Sequence, residues 1–130
     1  MKVVILCICA ILFAACSSNT ETEHGFASLP AGDAVRGAAL FAVSVNGAPA
    51  CSTCHTLDGA ASVGPSFQDY AAHAPVEAAG AESLEAYIYA SIVQPSAYIV
   101  SGFGNSMYNQ YQRQLSPQEI ADLIAYLLTV

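Results

Sequence analysis

Two cysteines and a histidine lie close together near the middle of the chain, in the order Cys51-x-x-Cys54-His55. Two thiols three residues apart can reach the two vinyl groups on one edge of a porphyrin. The next residue then lies under the metal, where the His55 imidazole can bind it. The motif therefore predicts one covalent haem c, attached at Cys51 and Cys54, with His55 as the proximal iron ligand.

Three other interpretations of this motif are weaker. A thioredoxin-type redox pair would need a strand and a helix around the cysteines, and the neighbouring sequence has no such pattern. A zinc site would need four good ligands, and outside the motif and the apolar N-terminal segment with its cysteines the best candidates are His24 and His73. A structural disulfide would leave His55 without a role. Haem attachment uses all three side chains.

A second axial ligand for the iron has to come from another part of the chain. Apart from the initiator, the sequence has one methionine, Met107, in a segment marked by glycines. A methionine is more often a core-filling residue, but this loop context favours ligation, and a thioether opposite histidine raises the reduction potential. His73 is the main rival and would give a bis-histidine haem of lower potential. His24 lies in a polar segment and is expected to be solvated.

The N-terminus has the pattern of an export signal. Lys2 precedes an unbroken apolar run over residues 3–15. The run is shorter than the roughly 20 residues that span a bilayer, and its length is typical of a signal peptide. It ends in small residues followed by Cys16, which resembles a bacterial lipobox, where the cysteine is lipidated after cleavage. The sequence thus predicts a lipoprotein with its anchor on Cys16. Without lipidation, the same segment would be an uncleaved short anchor or a simple secretory signal.

The chain divides into three parts on this basis: a signal peptide (1–15), a lipidated cysteine with a flexible polar tether (16–32), and a folded domain (33–130). The formal net charge is −7. Such a surface repels nucleic acid, so we expect no nucleic acid partner. Protein partners would present a basic or an apolar face. The predicted location is the cell envelope, anchored in a membrane and facing the periplasm or the exterior.

Three helices are predicted in the domain. The first runs from residue 34 to about 45 after an Asp33 cap. The second begins with Ser83 or Glu82 as its cap and stops before Pro95, which disfavours helix at Gln94. The third runs from Pro117 through Leu128. Ser116 and Glu119 form the capping box of the last one. The apolar positions of the first helix are Val35, Ala38, Leu40, Phe41 and Val45. The segments 51–80 and 96–115 are predicted as loops, with a helical turn near 69–73, and no strand is predicted. A large apolar cofactor could complete so small a core.

The domain resembles a class I cytochrome c over nearly all of its length. Gly37-x-x-x-Phe41 in the first helix and Leu123-x-x-Tyr126 in the last match the family pattern for two crossing helices. Glycine suits such a crossing because it lets two helix backbones touch. The resemblance implies an all-α class I cytochrome c fold, with the N- and C-terminal helices crossing and loops wrapped around one haem.

The same resemblance implies roles for residues outside the haem motif. Gly64-Pro65 matches a family Gly-Pro whose proline carbonyl accepts a hydrogen bond from the proximal imidazole. Met107 matches the distal ligand in position, although it is followed by Tyr108 where proline is common. The family implies an electron carrier rather than an enzyme. A haem enzyme or a gas or peroxide sensor is the alternative, and it would require an open distal site.

Similarity within the family suggests the partners. Residues 92–100 and 115–120 are similar to the cytochrome domains joined to subunit II of some haem–copper oxidases. They are also similar to mono-haem lipoprotein subunits of alternative complex III. These relatives imply a bacterial respiratory or photosynthetic chain, with a quinol-oxidising complex, a terminal oxidase or a small carrier as redox partners.

Overall fold

The computed structural model of the protein describes residues 25–130. The predicted signal peptide, the predicted lipidation at Cys16 and His24 lie outside the described residues. The described chain contains five α-helices: Ala34–Phe41 (α1), Tyr70–His73 (α2), Leu84–Val93 (α3), Tyr111–Gln114 (α4) and Pro117–Leu127 (α5). Over the same residues the only β pairing is an isolated antiparallel bridge between Val45 and Ala48. None of the described helices combines the length and apolarity needed to cross a bilayer.

Helix α1 begins where the sequence predicts and ends earlier. The Asp33 side chain accepts hydrogen bonds from the backbone N–H groups of Val35 and Arg36, which is the expected N-cap. The helix ends at Phe41 instead of near residue 45. The chain turns through Asn46 and Gly47, both with positive φ, and this turn pairs the backbone of Val45 with that of Ala48. The N–H of Val45 therefore bonds to Ala48 and not to the carbonyl of Phe41, as a longer helix would require.

The apolar face of α1 is narrower than the sequence predicts. Gly37 and Phe41 are buried, whereas the Val35 side chain is 81% exposed. The assignment of Ala38, which is also exposed, to the apolar face was therefore wrong, and so was that of Val35. Helical spacing placed it beside the core residues, but α5 contacts the neighbouring strip of α1 that contains the glycine.

Helices α1 and α5 cross with their backbones in contact. A Cβ atom added to Gly37 would overlap the carbonyl oxygen of Asp122 and lie 2.7 Å from Cβ of Tyr126. Beside this contact, the rings of Phe41 and Tyr126 pack with their centroids 5.6 Å apart. The crossing of the N- and C-terminal helices is thus confirmed, and it depends on the absence of a side chain at residue 37.

A buried carboxylate connects the two helices at this crossing. The Asp122 side chain is only 2% exposed. It accepts hydrogen bonds from Nε of Arg36 at 2.7 Å, the backbone N–H of Asp33 at 2.8 Å and Nε2 of Gln118 at 2.9 Å. The hydrogen bond from Arg36 is the largest cause that lowers the pKa of Asp122. The charged form of Asp122 therefore joins α5 to the first turn of α1.

We expect this carboxylate to give the fold a marked acid sensitivity. A lowered folded-state pKa stabilises the protein above the unfolded value of about 3.9, and that stabilisation is lost as the pH falls through the folded-state pKa. The Asp122→Asn variant should melt about 5 °C or more lower at pH 7. It should also lose less stability than the wild type between about pH 5 and pH 2.

Thermal unfolding followed by circular dichroism across that pH range would measure both effects. Glu77→Gln is the matched control, because Glu77 is an exposed carboxylate. If the melting temperatures of the wild type and Asp122→Asn change in parallel with pH, Asp122 is not the source of the acid sensitivity.

The residues just before α1 lie against the domain. A Cβ atom on Gly32 would overlap the carbonyl oxygen of Ala121 in α5, and the rings of Phe26 and Tyr89 pack with centroids 5.7 Å apart. Residues 25–32 were expected to belong to a free tether. In the structure Gly32 lies against α5 and Phe26 against α3, although most of this segment is exposed.

Helices α3 and α5 begin at the predicted caps. The Ser83 hydroxyl accepts a hydrogen bond from the backbone N–H of Ala86 at the start of α3. At the start of α5, Ser116 and Glu119 form the predicted capping box, with Pro117 in the first turn. Both starts are encoded by residues within one turn of each other, so the local sequence was sufficient to find them.

Helix α4 lies in a segment that the sequence analysis predicted as loop. The Tyr111 hydroxyl donates a hydrogen bond to the carbonyl of Pro49 at 2.9 Å, and Asn46 Nδ2 donates to the carbonyl of Gln114 at 3.0 Å. The short helix is thus held against the segment that precedes the cysteines. These partners are distant in sequence, which is why periodicity does not reveal α4.

Candidate haem site

The structure brings five of the predicted site residues to a single cavity. Cys51, Cys54, His55, Pro65 and Met107 all line a cavity of about 350 Å³, a size found among cofactor pockets. The remaining lining is mainly aromatic and aliphatic. None of the lining residues, all in the described part of the chain, is Asp, Glu, Lys or Arg. The cavity is therefore suited to a large apolar group.

A tight turn presents the two thiols and the imidazole together. A 3-10 helix spans Cys51–Thr53, and the carbonyl of Cys51 accepts hydrogen bonds from the backbone N–H groups of Cys54 and His55, at 3.1 Å and 3.0 Å. Burial raises the pKa of Cys51 to about 11. Its sulfur is therefore a neutral thiol at neutral pH, and it would hold a bound haem by adding S and H across one vinyl group.

The chain's own residues orient the His55 ring. It is buried, and its Nδ1 lies 2.8 Å from the carbonyl oxygen of Pro65. Because a carbonyl can only accept, Nδ1 carries the proton and donates it to this bond. Burial lowers the pKa of His55, and the bond to Pro65 opposes that shift. The ring is therefore neutral at neutral pH, and the lone pair on Nε2 is free to bind iron.

Two further residues hold this imidazole ring in place. A Cβ atom on Gly64 would lie 2.5 Å from Cε1 of His55, so the glycine provides space for the ring. On another side, the Phe67 ring stacks on His55 with centroids 4.3 Å apart and an interplanar angle of 10°. Phe67 was not predicted from the sequence, because its only signal there is its position shortly after Gly64-Pro65.

The Met107 side chain reaches the cavity from the loop between α3 and α4. It is partly buried and packs against the hydrophobic core. Gly102 turns this loop with a φ of 91°, a conformation that favours glycine, and the N–H of Ser106 bonds to the carbonyl of Gly104 at 2.9 Å. A thioether and an imidazole from distant segments therefore line the same cavity.

The rival ligand His73 lies elsewhere. Its ring is exposed, its Nδ1 is 2.9 Å from the carbonyl oxygen of Asp69, and it does not line the cavity. Across residues 25–130 the structure has no group of three or more His, Cys, Asp or Glu side chains that could hold a metal ion. The bis-histidine and zinc alternatives therefore find no support in this part of the protein.

The donor set and the walls of the cavity fit a haem c. Two thiols stand one turn apart, the imidazole has a fixed tautomer, and the lining is uncharged. A sequence profile of the cytochrome c family matches residues 34–130. The chain belongs to the cytochrome c family. No curated protein matches its sequence.

Family membership gives this cytochrome its cofactor and its general activity. It carries one covalent haem c, and electron transfer to redox protein partners is its function. Cys51 and Cys54 have the spacing that this attachment requires. The match begins at the first residue of α1, so residues 25–33, which pack on α5 and α3, lie outside it.

Proposed function

We propose that this cytochrome is a membrane-anchored mono-haem electron carrier of a bacterial respiratory or photosynthetic chain, with His55 and Met107 as axial iron ligands. The observation that carries the ligand assignment is their presence in one cavity with Cys51 and Cys54. His73, the other candidate for the second ligand, does not line that cavity. The two-ligand site distinguishes a carrier from a haem enzyme or sensor with an open distal position.

The chain's own residues prepare this site for fast one-electron exchange. A bound haem supplies the one-electron couple. Pro65 and Phe67 hold the His55 ring in one orientation, so the ligand does not turn when the charge of the iron changes. The uncharged lining disfavours the more highly charged oxidised state, and the neutral Met107 thioether acts in the same direction. The site therefore favours a relatively high reduction potential.

Replacing Met107 by alanine tests the ligand assignment. The oxidised variant should lose the weak long-wavelength absorption band typical of methionine–iron(III) ligation. Its reduction potential should fall by on the order of 0.1 V or more, because a thioether raises the potential. The reduced variant should bind carbon monoxide rapidly, whereas the wild type should bind it slowly. Absorption spectroscopy and potentiometric titration measure these changes.

Ser101→Ala is the control for Met107, since Ser101 is exposed in the same loop and does not line the cavity. Rapid carbon monoxide binding by the wild type, with an unchanged spectrum in Met107→Ala, would contradict the carrier proposal. That result would favour the enzyme or sensor.

The proposed membrane anchor is a lipid on Cys16, and it places the domain in the cell envelope facing the periplasm or the exterior. Its support is the sequence pattern: an apolar run over residues 3–15, then small residues and the cysteine. The anchor would keep the cytochrome near membrane-bound redox complexes.

A Cys16→Ser variant should move from the membrane fraction to the soluble or weakly bound fraction when expressed in a bacterium that processes lipoproteins. Mass analysis of the wild-type N-terminal peptide should find it starting at Cys16 with a diacylglyceryl group. Cys9→Ser is the matched control, because Cys9 lies within the predicted signal peptide. An unmodified N-terminal peptide in the wild type would refute the anchor.

The proposed partners are a quinol-oxidising complex, a terminal oxidase or a small carrier. The proposal is supported by the similarity of residues 92–100 and 115–120 to cytochrome domains of such complexes. Mild detergent extraction of native membranes, followed by native electrophoresis with haem staining, tests it. Co-migration with a large complex would indicate a fixed subunit, and a free monomer would indicate a shuttle.

A further inference from the structure

Charged side chains are absent from the segments that build the haem cavity. Residues 37–57, 59–68 and 86–112 contain no Asp, Glu, Lys or Arg. These segments provide the whole lining apart from three uncharged residues of α2 and α5. Most charges of the domain lie on residues 69–85 and 113–122 instead. A protein with a net charge of −7 thus surrounds its redox site with neutral groups.

The cavity reaches the surface at a small apolar and polar rim. Five lining residues are exposed, and we call them the rim: Val63, Ile99, Gly104, Asn105 and Ser106. Val63 is 53% exposed and Ile99 is 41% exposed. Two branched aliphatic side chains therefore face solvent at the edge of the site, where a redox partner could approach most closely.

We propose that the rim is the docking surface for a redox protein whose electron-exchange face is uncharged and apolar. The proposal rests on the electron-carrier function proposed above. An acidic partner face would be repelled by the net negative charge of the domain. A basic face would be drawn to the carboxylates, none of which lines the cavity. A neutral apolar face encounters neither effect, and it can bury Val63 and Ile99.

The composition of the rim indicates a brief encounter. Weak electron-transfer complexes bury less surface than stable ones, below about 1,200 Å² in total, and a few aliphatic side chains suit such contacts. Salt screens interactions between charges and leaves apolar burial nearly unaffected. Electron exchange through the rim should therefore be nearly independent of ionic strength.

A matched set of variants isolates the rim from general surface apolarity. Val63→Asp and Ile99→Asp each place a carboxylate on the rim. Val35→Asp is the control, because Val35 is 81% exposed on α1 and does not line the cavity. All three variants change the net charge equally, so a difference between them reports position alone.

The haem-loaded full chain is tested by voltammetry on gold electrodes coated with alkanethiols that end in mixed methyl and hydroxyl groups, or in amines. On the methyl–hydroxyl surface the wild type should exchange electrons at a rate that stays constant from about 0.01 M to about 1 M salt. Over this range the Debye length falls from about 30 Å to about 3 Å. Val63→Asp and Ile99→Asp should lower that rate about tenfold or more, since each introduces a carboxylate that contact would desolvate. Val35→Asp should exchange as the wild type does.

Several results would overturn the proposal. One is a rate of electron exchange that is higher on the amine surface than on the methyl–hydroxyl surface and that falls as salt is added. This result would assign docking to the carboxylates. Another is an equal loss of rate in Val35→Asp. If the wild type sediments as a dimer and Val63→Asp sediments as a monomer, the rim would bind a second copy of this chain instead of a redox partner. If the wild type binds neutral phosphatidylcholine vesicles and only the rim variants lose this binding, the rim would bind a lipid surface.

The carrier function and the docking surface can fail separately. A mediated potentiometric titration in solution checks the carrier function without any docking, and all variants should titrate reversibly there. If the wild type does not titrate reversibly, the carrier function fails. If it does and the rim variants exchange at the wild-type rate on the electrode, the docking proposal alone is refuted.

Discussion

Replacing Cys51 and Cys54 together by alanine should abolish covalent haem attachment and leave the domain largely unfolded. The two thiols line the cavity and have the spacing of the attachment site. Without the cofactor, a mostly apolar space of about 350 Å³ would be left without a filler. Cavities far smaller than this cost about 3–5 kcal/mol, and a whole domain is stable by only about 5–15 kcal/mol.

Haem staining after denaturing electrophoresis and intact-protein mass should both show loss of the cofactor in this double variant. Circular dichroism should show reduced helicity. Ser52→Ala and Thr53→Ala are matched controls, because both residues are exposed in the same turn, and each should retain full haem. Haem that remains bound to the double variant through denaturation would overturn the attachment assignment.

Replacing Gly37 by valine should cause the largest loss of stability among single substitutions away from the haem site. The Cβ atom would overlap the carbonyl oxygen of Asp122. The obstacle is backbone, so no side-chain rotation can relieve it, and α1 must move away from α5. We expect a loss of about 3 kcal/mol or more, which corresponds to a melting temperature lower by on the order of 15 °C.

Denaturant unfolding of the haem-loaded protein measures this loss. Ala38→Val is the matched control, since it introduces the same residue at the next position, which is exposed. Valine should cost only a few tenths of a kcal/mol to about 1 kcal/mol there, through helix propensity. Equal effects at the two positions would mean that the crossing does not require close backbone contact.

Much of the local structure could be predicted from the sequence. The caps at Asp33, Ser83 and Ser116 are made by side chains that bond to backbone groups two or three residues away. Such interactions depend on neighbours in the chain, so the residue order specifies them. The prediction failed where partners are remote: α4 is held by the segment before the cysteines, and Val35 faces solvent although its spacing suggested the core.

The same distinction between local and long-range contacts applies to the haem site. The Cys51-x-x-Cys54-His55 motif is local, and its spacing alone predicted the covalent haem, in agreement with the family match, and His55 as the proximal ligand. The stacking of Phe67 on His55 and the buried Asp122 at the helix crossing had no equivalent signal. Both depend on residues that approach only after the helices pack.

The sequence by itself therefore determined the class of protein, its covalent haem and the starts of α1, α3 and α5, because these follow from chemistry between near neighbours. Only the tertiary structure decided that Met107 and not His73 shares a cavity with His55. It also decided that the opening of that cavity carries no charge. Both outcomes depend on how distant segments pack around one space, and packing is a property of the whole folded chain.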